Sequence, residues 1–307
     1  MREAYHAIGA PFQYADGAIE SVVRQAAYAA GNHTFMDLTI PASALHGSVT
    51  GRFFMARCTI DATAPVVSAV HTKPLRTDWG IYLRRPLFIT RSRAAIDLPD
   101  ATIITVWLPQ NRDAGYSRLR TKGVGSRLNL LGPYGRPFQL PSHTRQLLLA
   151  TQSDFAPLTL PAAEEMLDRG GRVTLVVRDK QAGDAQGSSH VADTSPSVEA
   201  GLLALFPIAV EIQSATLTGQ WLECIANGVN WADSMVIMDT ALTPQAWADR
   251  IRQRRMTLDQ EFAQILVPSD LLCCTGACMS CVVPRTNGSL TRACLHGPLF
   301  ALTELID

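Results

Sequence analysis

Five of the seven cysteines lie between positions 273 and 294, close to the C-terminus. Read from Cys273, the thiols of Cys278, Cys281 and Cys294 follow with the spacing C-x4-C-x2-C-x12-C. This is the plant-type order of [2Fe–2S] ligands, with a shorter final gap. The spacing predicts a [2Fe–2S] cluster on these four side chains. Because such a cluster accepts one electron at a time, it indicates that the chain moves electrons.

The residues between these cysteines suit the same purpose. Gly276 and Ala277 let the backbone approach the cluster and donate N–H groups to its sulfurs. Asn287-Gly288 predicts a hairpin turn that returns the fourth ligand. Two alternatives remain open, a structural zinc site and a set of buried structural thiols, although zinc sites usually present two C-x2-C pairs and this chain has one. Cys274 is surplus, and it is the alternative to Cys273 as first ligand.

Near the N-terminus, residues 18–30 are predicted to form a helix that ends at Gly31-Asn32. We interpret residues 1–32 as an N-terminal extension. Short β-rich runs separated by Gly, Pro and Asp clusters then predict a barrel over residues 33–141. The runs lie at 34–40, 51–60, 65–70, 81–89 and 101–108.

Strand, helix and strand alternate next, which is typical of a parallel α/β domain, predicted over residues 142–258. The strands are predicted at 145–151, 172–177, 209–217 and 233–240, and the helices at 158–171, 219–229 and 243–256. The last helix has Thr243 or its neighbour as its expected cap and Pro244 in its first turn. Residues 179–200 are rich in Gly, Ser and Asp and predict a loop. Residues 259–307 form the predicted cluster domain.

Composition excludes several classes of function. The chain has 307 residues and equal numbers of basic and acidic residues, 27 of each, so no excess positive charge attracts nucleic acid or an anionic membrane. We expect no signal peptide and no membrane span. Clustered cysteines without a secretory signal indicate a reducing compartment, and we expect a cytoplasmic protein.

The cysteine segment, CCTGACMSC followed by CLHGPLF, resembles that of the electron transfer subunit of class 1B dihydroorotate dehydrogenase. That family is a branch of the ferredoxin reductase-like flavoproteins, and the resemblance covers residues 33–307. It implies a flavin-binding β-barrel, a nucleotide-binding-type parallel sheet domain and a C-terminal [2Fe–2S] loop domain. The main change in the loop is Cys274, which replaces the family's glycine.

The same resemblance implies an FAD site on the barrel. LRRPLFI at 83–89 corresponds to the family's flavin strand, where an arginine meets the flavin phosphate and the backbone after it forms a wall beside the ring system. A serine of the family is Phe88 here. In the later segment 115–135 the family's glycine is kept, but its phosphate-facing threonine is Tyr116. The predicted FAD-binding residues are Arg85, Pro86, Leu87, Phe88, Gly115 and Tyr116.

Two loops depart from the family's NAD site. The glycine-rich phosphate loop is replaced by ATQSDFAPL at 150–158, which places Asp154 near the expected pyrophosphate. Ser153 and Asp154 are expected to cap the following helix instead. The second signature, C-G-P, is replaced by a sequence that contains Asp239. These changes predict that NAD is not bound, which disfavours direct oxidation of NADH.

The resemblance therefore implies an oxidoreductase component of pyrimidine biosynthesis, an electron-transfer subunit that relays electrons between FAD and a partner redox protein through the cluster. The partner it implies is an FMN-containing dihydroorotate dehydrogenase catalytic subunit in a hetero-oligomer. An alternative interpretation is a degenerate docking subunit that keeps the cluster without FAD or NAD. A complete NADH-linked reductase is a third, against which the two aspartates argue.

Overall fold

An antiparallel barrel forms the first part of the computed structural model, which describes residues 10–14, 16–58, 83–110, 113–179 and 198–306. Six strands close it in the order β2-β3-β6-β5-β4-β7, because β2 pairs with both β3 and β7, and β1 pairs with β2 at its edge. Helix α1 (Ala114–Arg120) precedes β7. The strands are β1 (Phe12–Gln13), β2 (Ile19–Ala30), β3 (His33–Pro41), β4 (Phe53–Ala56), β5 (Arg85–Ala94), β6 (Ala101–Leu108) and β7 (Arg127–Tyr134).

The prediction of a helix over residues 18–30 is wrong. Strand β2 occupies this segment, so the barrel begins at Ile19, inside the predicted extension 1–32. Hydrogen bonding to two neighbouring strands overrides the helical propensity of an alanine-rich sequence. Gly31 and Asn32 form the two-residue hairpin loop to β3, and only Gly31 has a positive φ, of 57°, as a type II′ turn requires. The predicted run at 65–70 lies outside the described residues.

The side chain of Ile19 tests the position of β2 in the barrel. Ile19 is fully buried in the barrel core, whereas Ile96 is fully exposed. We expect Ile19→Ala to lower the free energy of unfolding by about 2 to 5 kcal/mol, because it removes buried methyl groups and leaves a cavity. Ile96→Ala, the same chemical change, should stay within about 0.5 kcal/mol. Urea denaturation measures both values, and equal effects would place β2 outside the barrel.

A six-stranded sheet forms the second part, in the order β10-β9-β8-β11-β12-β15. Its first five strands are parallel and β15 is antiparallel to β12. The barrel and this parallel sheet confirm these two parts of the predicted fold class. The strands are β8 (Gln146–Gln152), β9 (Arg172–Arg178), β10 (Val210–Ala215), β11 (Ser234–Met238), β12 (Ala263–Leu266) and β15 (Leu299–Ala301).

Helices cover both faces of this sheet, as a parallel sheet requires. On one face α2 (Ala156–Asp168) and α3 (Val198–Leu205) share an apolar core that extends to Trp107 of the barrel. On the other face lie α4 (Thr218–Trp231) and α5 (Pro244–Arg252). Thr243 caps α5 as predicted, because its hydroxyl accepts the N–H of Ala246 at 3.2 Å. Most of the predicted loop 179–200 lies outside the described residues.

The cysteine segment is inserted between β12 and β15, two neighbouring strands of the parallel sheet. The backbone N–H of Val267 donates to the carbonyl of Pro298 at 2.9 Å and closes the base of the insertion. Within it, β13 (Val282–Pro284) and β14 (Leu290–Arg292) form the predicted hairpin, and the short helix α6 (Ala293–His296) follows. Both ends of the segment are therefore held by the α/β sheet.

No helix in the described part of the chain is long and apolar enough to span a bilayer.

Candidate functional site

The four predicted cluster ligands lie together as two pairs. The sulfur of Cys273 contacts that of Cys278, and the sulfur of Cys281 contacts that of Cys294. Among the residues that the structure describes, no three His, Cys, Asp or Glu side chains are placed as ligands of a single ion. A [2Fe–2S] cluster on four cysteines takes two thiolates at each iron. The donor set and its division into pairs therefore fit this cluster.

Backbone and hydroxyl donors already surround these sulfurs. Cys273 accepts hydrogen bonds from the N–H of Cys278 and from the hydroxyl and N–H of Thr275, which lower its pKa to about 5. Burial raises the pKa of Cys294 to about 11, although the N–H of Gly276 acts in the opposite direction. Gly276 has a φ of 77°, a conformation that suits glycine. Of the two predicted donors the N–H of Gly276 is observed, and the N–H groups of Thr275 and Cys278 and the hydroxyl of Thr275 are further donors.

Exposure differs sharply between the two pairs. Cys278 is exposed and Cys273 is half-buried, whereas Cys281 and Cys294 are both buried. The buried pair packs in one apolar cluster with Phe53 of strand β4. A cluster held here would present one iron toward solvent and the other toward the barrel.

The surplus thiol, Cys274, is buried beside the other four cysteines. Burial and these neighbouring sulfurs raise its pKa to about 12. Its φ is 54°, in the left-handed region that costs a non-glycine residue about 1 kcal/mol or more. This conformation explains why glycine occurs here in the family. The sulfur that contacts Cys278 belongs to Cys273, which supports Cys273 as the first ligand.

Aromatic side chains of the barrel line the buried side of the cysteine segment. The ring centroid of Phe53 lies 5.2 Å from that of Phe88 and 6.0 Å from that of Tyr134. Phe88 packs against both the cysteine core and the core shared with α2. It therefore lies where the barrel, the α/β sheet and the cysteine segment meet.

The predicted FAD-binding residues of the two segments are brought together. The hydroxyl of Tyr116 donates to the carbonyl of Pro86 at 2.8 Å. Gly115 lies against Arg85, so closely that a Cβ atom would be 2.9 Å from the arginine Cγ. The side chain of Leu87 is buried in the barrel core, and the residue pairs with Phe54 of β4.

Two of these residues already have protein partners. The side chain of Tyr116 is buried in the barrel core, and burial raises its pKa above the usual range. Arg85 is paired with Asp113, whose Oδ2 lies 2.8 Å from Nη2 and whose Oδ1 accepts Nε at 2.8 Å. Asp113 is not among the residues predicted from the sequence. Its position three residues before Tyr116, at the start of a predicted phosphate segment, was the available signal.

Arg84, the neighbour of Arg85, serves the barrel itself. Its Nη1 donates to the carbonyls of Met55 and Asn129, each at 3.0 Å. Arg85 also donates from Nη1 to the carbonyl of Leu83 at 2.9 Å, so the edge formed by its Nε and Nη2 is the part suited to an anion. A guanidinium edge that binds a carboxylate can bind a phosphate in its place, because both anions accept hydrogen bonds from the same two parallel N–H donors.

The expected dinucleotide crevice lies at the C-terminal ends of the parallel strands. After β8 the chain forms a 3₁₀ turn, Ser153–Phe155, and the ring of Phe155 packs edge-on against Trp107 at 6.3 Å. The predicted caps are wrong, because Phe155 is the N-cap of α2 and no side-chain cap bond is present there. Asp154 is exposed, and its charge partly offsets the burial that lowers the pKa of His33 to about 4.

A buried ion pair joins the C-terminal end of β9 to the residue that follows β11. Nη2 of Arg178, at the end of β9, lies 2.9 Å from Oδ1 of Asp239, whose side chain is fully buried. Oδ2 of Asp239 accepts the N–H of Ala241 at 2.9 Å. Oε1 of Gln152 accepts both Nη2 of Arg178 and the hydroxyl of Thr240. Arg178 was also missed, because its partner lies 61 residues away in sequence.

Comparison with known proteins agrees with this arrangement. Residues 269–306 match the family model of the iron-sulfur cluster binding domain of dihydroorotate dehydrogenase B. The fold matches a solved structure described as an NADH-dependent reduced ferredoxin-NADP oxidoreductase, with a TM-score of 0.56, 15% identity, and coverage of 92% of this chain and 89% of that one. The fold is therefore ferredoxin reductase-like, and its C-terminal segment matches an iron–sulfur cluster binding domain, which completes the predicted fold class.

More particularly, the chain is similar to the electron transfer subunit of dihydroorotate dehydrogenase B (NAD(+)). Identity to the Shouchella clausii subunit is 28% over 233 residues, covering 74% of this chain and 81% of that protein. Identity to the Geobacillus thermodenitrificans subunit is 26% over 229 residues, with 73% and 80% covered. The predicted resemblance is confirmed, and the predicted [2Fe–2S] and FAD cofactors agree with the matched domain and fold.

Proposed function

We propose that this chain is an electron-transfer subunit, which relays electrons between FAD on the barrel and a partner redox protein through a [2Fe–2S] cluster. The single observation that carries this proposal is the arrangement of the cysteines: one pair contains the exposed Cys278, and the other pair is buried against the barrel. A site with one face toward the flavin barrel and one toward solvent suits the relay of single electrons.

The chain's own residues have separate tasks in this relay. Cys273, Cys278, Cys281 and Cys294 hold the cluster, and the N–H groups of the loop stabilise its negative charge. Arg85 holds the FAD phosphates, and the backbone of Pro86 and Leu87 with the ring of Phe88 forms the wall beside the flavin. When bound, FAD supplies the exchange between two-electron and one-electron chemistry.

NAD has no place in this proposal. Arg178 and Asp239 form a buried pair at the strand ends, so a dinucleotide phosphate would have to displace a carboxylate that accepts three hydrogen bonds. The turn before α2 lacks the glycines that allow a pyrophosphate to approach. Electrons therefore enter and leave through protein partners.

The partner docks at the exposed pair of cysteines. Leu272, Met279 and Leu295 are exposed large apolar side chains around this edge, and their burial would exclude water from the path of the electron. By similarity to the relatives, we propose an FMN-containing dihydroorotate dehydrogenase catalytic subunit as partner, in a hetero-oligomer in the cytoplasm. We propose neither nucleic acid nor a membrane as a partner.

The alternative is a docking subunit that keeps the cluster without FAD. The observation that favours it is the arrangement at the predicted flavin strand, where Asp113 occupies Arg85 and Tyr116 is turned into the core. A cofactor assay separates it from the leading proposal.

A visible spectrum of the purified chain, taken without oxygen, tests the proposed function. We expect flavin and [2Fe–2S] bands together, bleaching by dithionite, and no bleaching by NADH. Rapid bleaching by NADH would contradict the closed dinucleotide site. A cluster spectrum with no extractable flavin would favour the docking subunit. Copurification of the native complex, with analysis for FMN, tests the partner, and a complex without FMN contradicts the proposed catalytic subunit.

A further inference from the structure

The ion pair between Arg85 and Asp113 joins the flavin strand β5 to the segment before α1. Both terminal contacts are 2.8 Å, and the arginine side chain is only 13% exposed. The carboxylate thus meets the guanidinium through two parallel contacts, which is the arrangement that arginine uses for phosphate as well. The geometry of the pair is that of an occupied anion site.

Asp113 is also held from its other side. Its Oδ1 accepts the backbone N–H of Tyr116 at 2.9 Å, so the carboxylate is the N-cap of α1. The absence of a side chain at Gly115 gives the pair its room, because a Cβ atom there would lie 3.0 Å from Oδ1 of Asp113 and 3.0 Å from Nε of Arg85. The Arg85 guanidinium lowers the pKa of Asp113, so the carboxylate is charged at neutral pH.

We propose that Asp113 is an internal competitor of FAD, whose carboxylate occupies Arg85 in the place of the flavin diphosphate. This inference rests on the proposed FAD site. The diphosphate reaches Arg85 only after the pair opens, and while the pair is closed the carboxylate repels the incoming phosphate. Because only the open fraction binds, the apparent affinity for FAD is reduced by that fraction. The chain therefore binds FAD weakly and exchangeably compared with a chain that lacks this carboxylate.

The test is the FAD affinity of Asp113→Asn. Asparagine keeps the N-cap, so α1 is retained, but it removes the charge that holds Arg85. The matched control is Asp97→Asn, which breaks a pair of the same type on the barrel, in which Oδ2 of Asp97 lies 2.6 Å from Arg24. Each purified protein is freed of flavin, and binding is followed by the quenching of FAD fluorescence. Inorganic pyrophosphate, added as a competitor, reports the diphosphate site itself.

We expect Asp113→Asn to bind FAD about tenfold more tightly than the unchanged protein, and the inhibition constant of pyrophosphate, corrected for the bound FAD, to fall by the same factor. Asp97→Asn should leave both values unchanged. Equal or weaker FAD binding by Asp113→Asn overturns the competitor role and leaves the FAD site standing. Failure of every protein to bind FAD overturns the FAD site in the proposed function, and the competition with it.

Discussion

Replacement of Cys294 by serine is expected to abolish the [2Fe–2S] absorption and the electron paramagnetic resonance signal of the reduced protein. Cys294 is buried, its sulfur contacts Cys281, and the N–H of Gly276 points to it. Without this thiolate, one iron of the cluster keeps only one of its two protein ligands. Because metal binding and folding are coupled, the cysteine segment should also lose stability. Iron content and the visible spectrum measure the result.

Cys274→Ser is the matched control for this prediction. Cys274 lies in the same buried core and the change of atoms is identical, but Cys273 is the thiol that contacts Cys278. We expect Cys274→Ser to keep its iron and its spectrum, and Cys273→Ser to lose them. If instead Cys274→Ser loses the cluster while Cys273→Ser keeps it, the C-x3-C alternative is correct. If both Cys294→Ser and Cys273→Ser keep their iron, the proposed ligand set is excluded.

The second large effect is expected at the closed dinucleotide crevice. Asp239→Ala should lower the free energy of unfolding by about 3 to 5 kcal/mol, because it leaves the guanidinium of Arg178 buried without its partner. It also leaves the N–H groups of Ala241 and Leu242 without the acceptor they use. Urea denaturation of the purified chain gives the free energy, provided that cluster content is equal in the variant and the unchanged protein.

The control for Asp239 is Asp249→Ala. Asp249 pairs with Arg252 on the surface of α5, and its side chain is 54% exposed. Such a pair contributes at most about 1 kcal/mol. The double variant Arg178→Met with Asp239→Leu removes both buried charges and should recover most of the loss. A double variant as unstable as Asp239→Ala would show that packing, and not the unpaired charge, determines the effect.

Local spacing alone determines the geometry at several places in the chain. Four cysteines at the ligand spacing, a glycine in the loop and the Asn287-Gly288 turn place the thiols in one loop and one hairpin, whatever surrounds them. The same holds for Thr243, whose cap requires only the N–H three residues later. The strands of the α/β sheet were also predictable, because a buried parallel strand is a short apolar run between turns.

The prediction failed where pairing at a distance overrides a local preference. Residues 19–30 have a sequence suited to a helix, yet they form the strand that closes the barrel, since β3 and β7 offer hydrogen bonds on both sides. The alternation of Ile19, Ser21 and Val23, which are all buried, was the available signal. Three residues are too few to outweigh the alanine-rich remainder.

The cluster spacing, the order of the barrel and the parallel sheet, and the loss of the phosphate-loop glycines can be read from the sequence alone, because each is a property of neighbouring residues. Three features depend on the tertiary structure: the separation of the cysteines into a buried pair and a pair with the exposed Cys278, the pairing of Asp113 with Arg85, and the pairing of Asp239 with Arg178. The residues of the two ion pairs are 28 and 61 positions apart in the sequence, and the chain has many acidic residues that could pair with either arginine. The fold determines the pairing, because it brings Asp113 to 2.8 Å from Arg85 and Asp239 to 2.9 Å from Arg178.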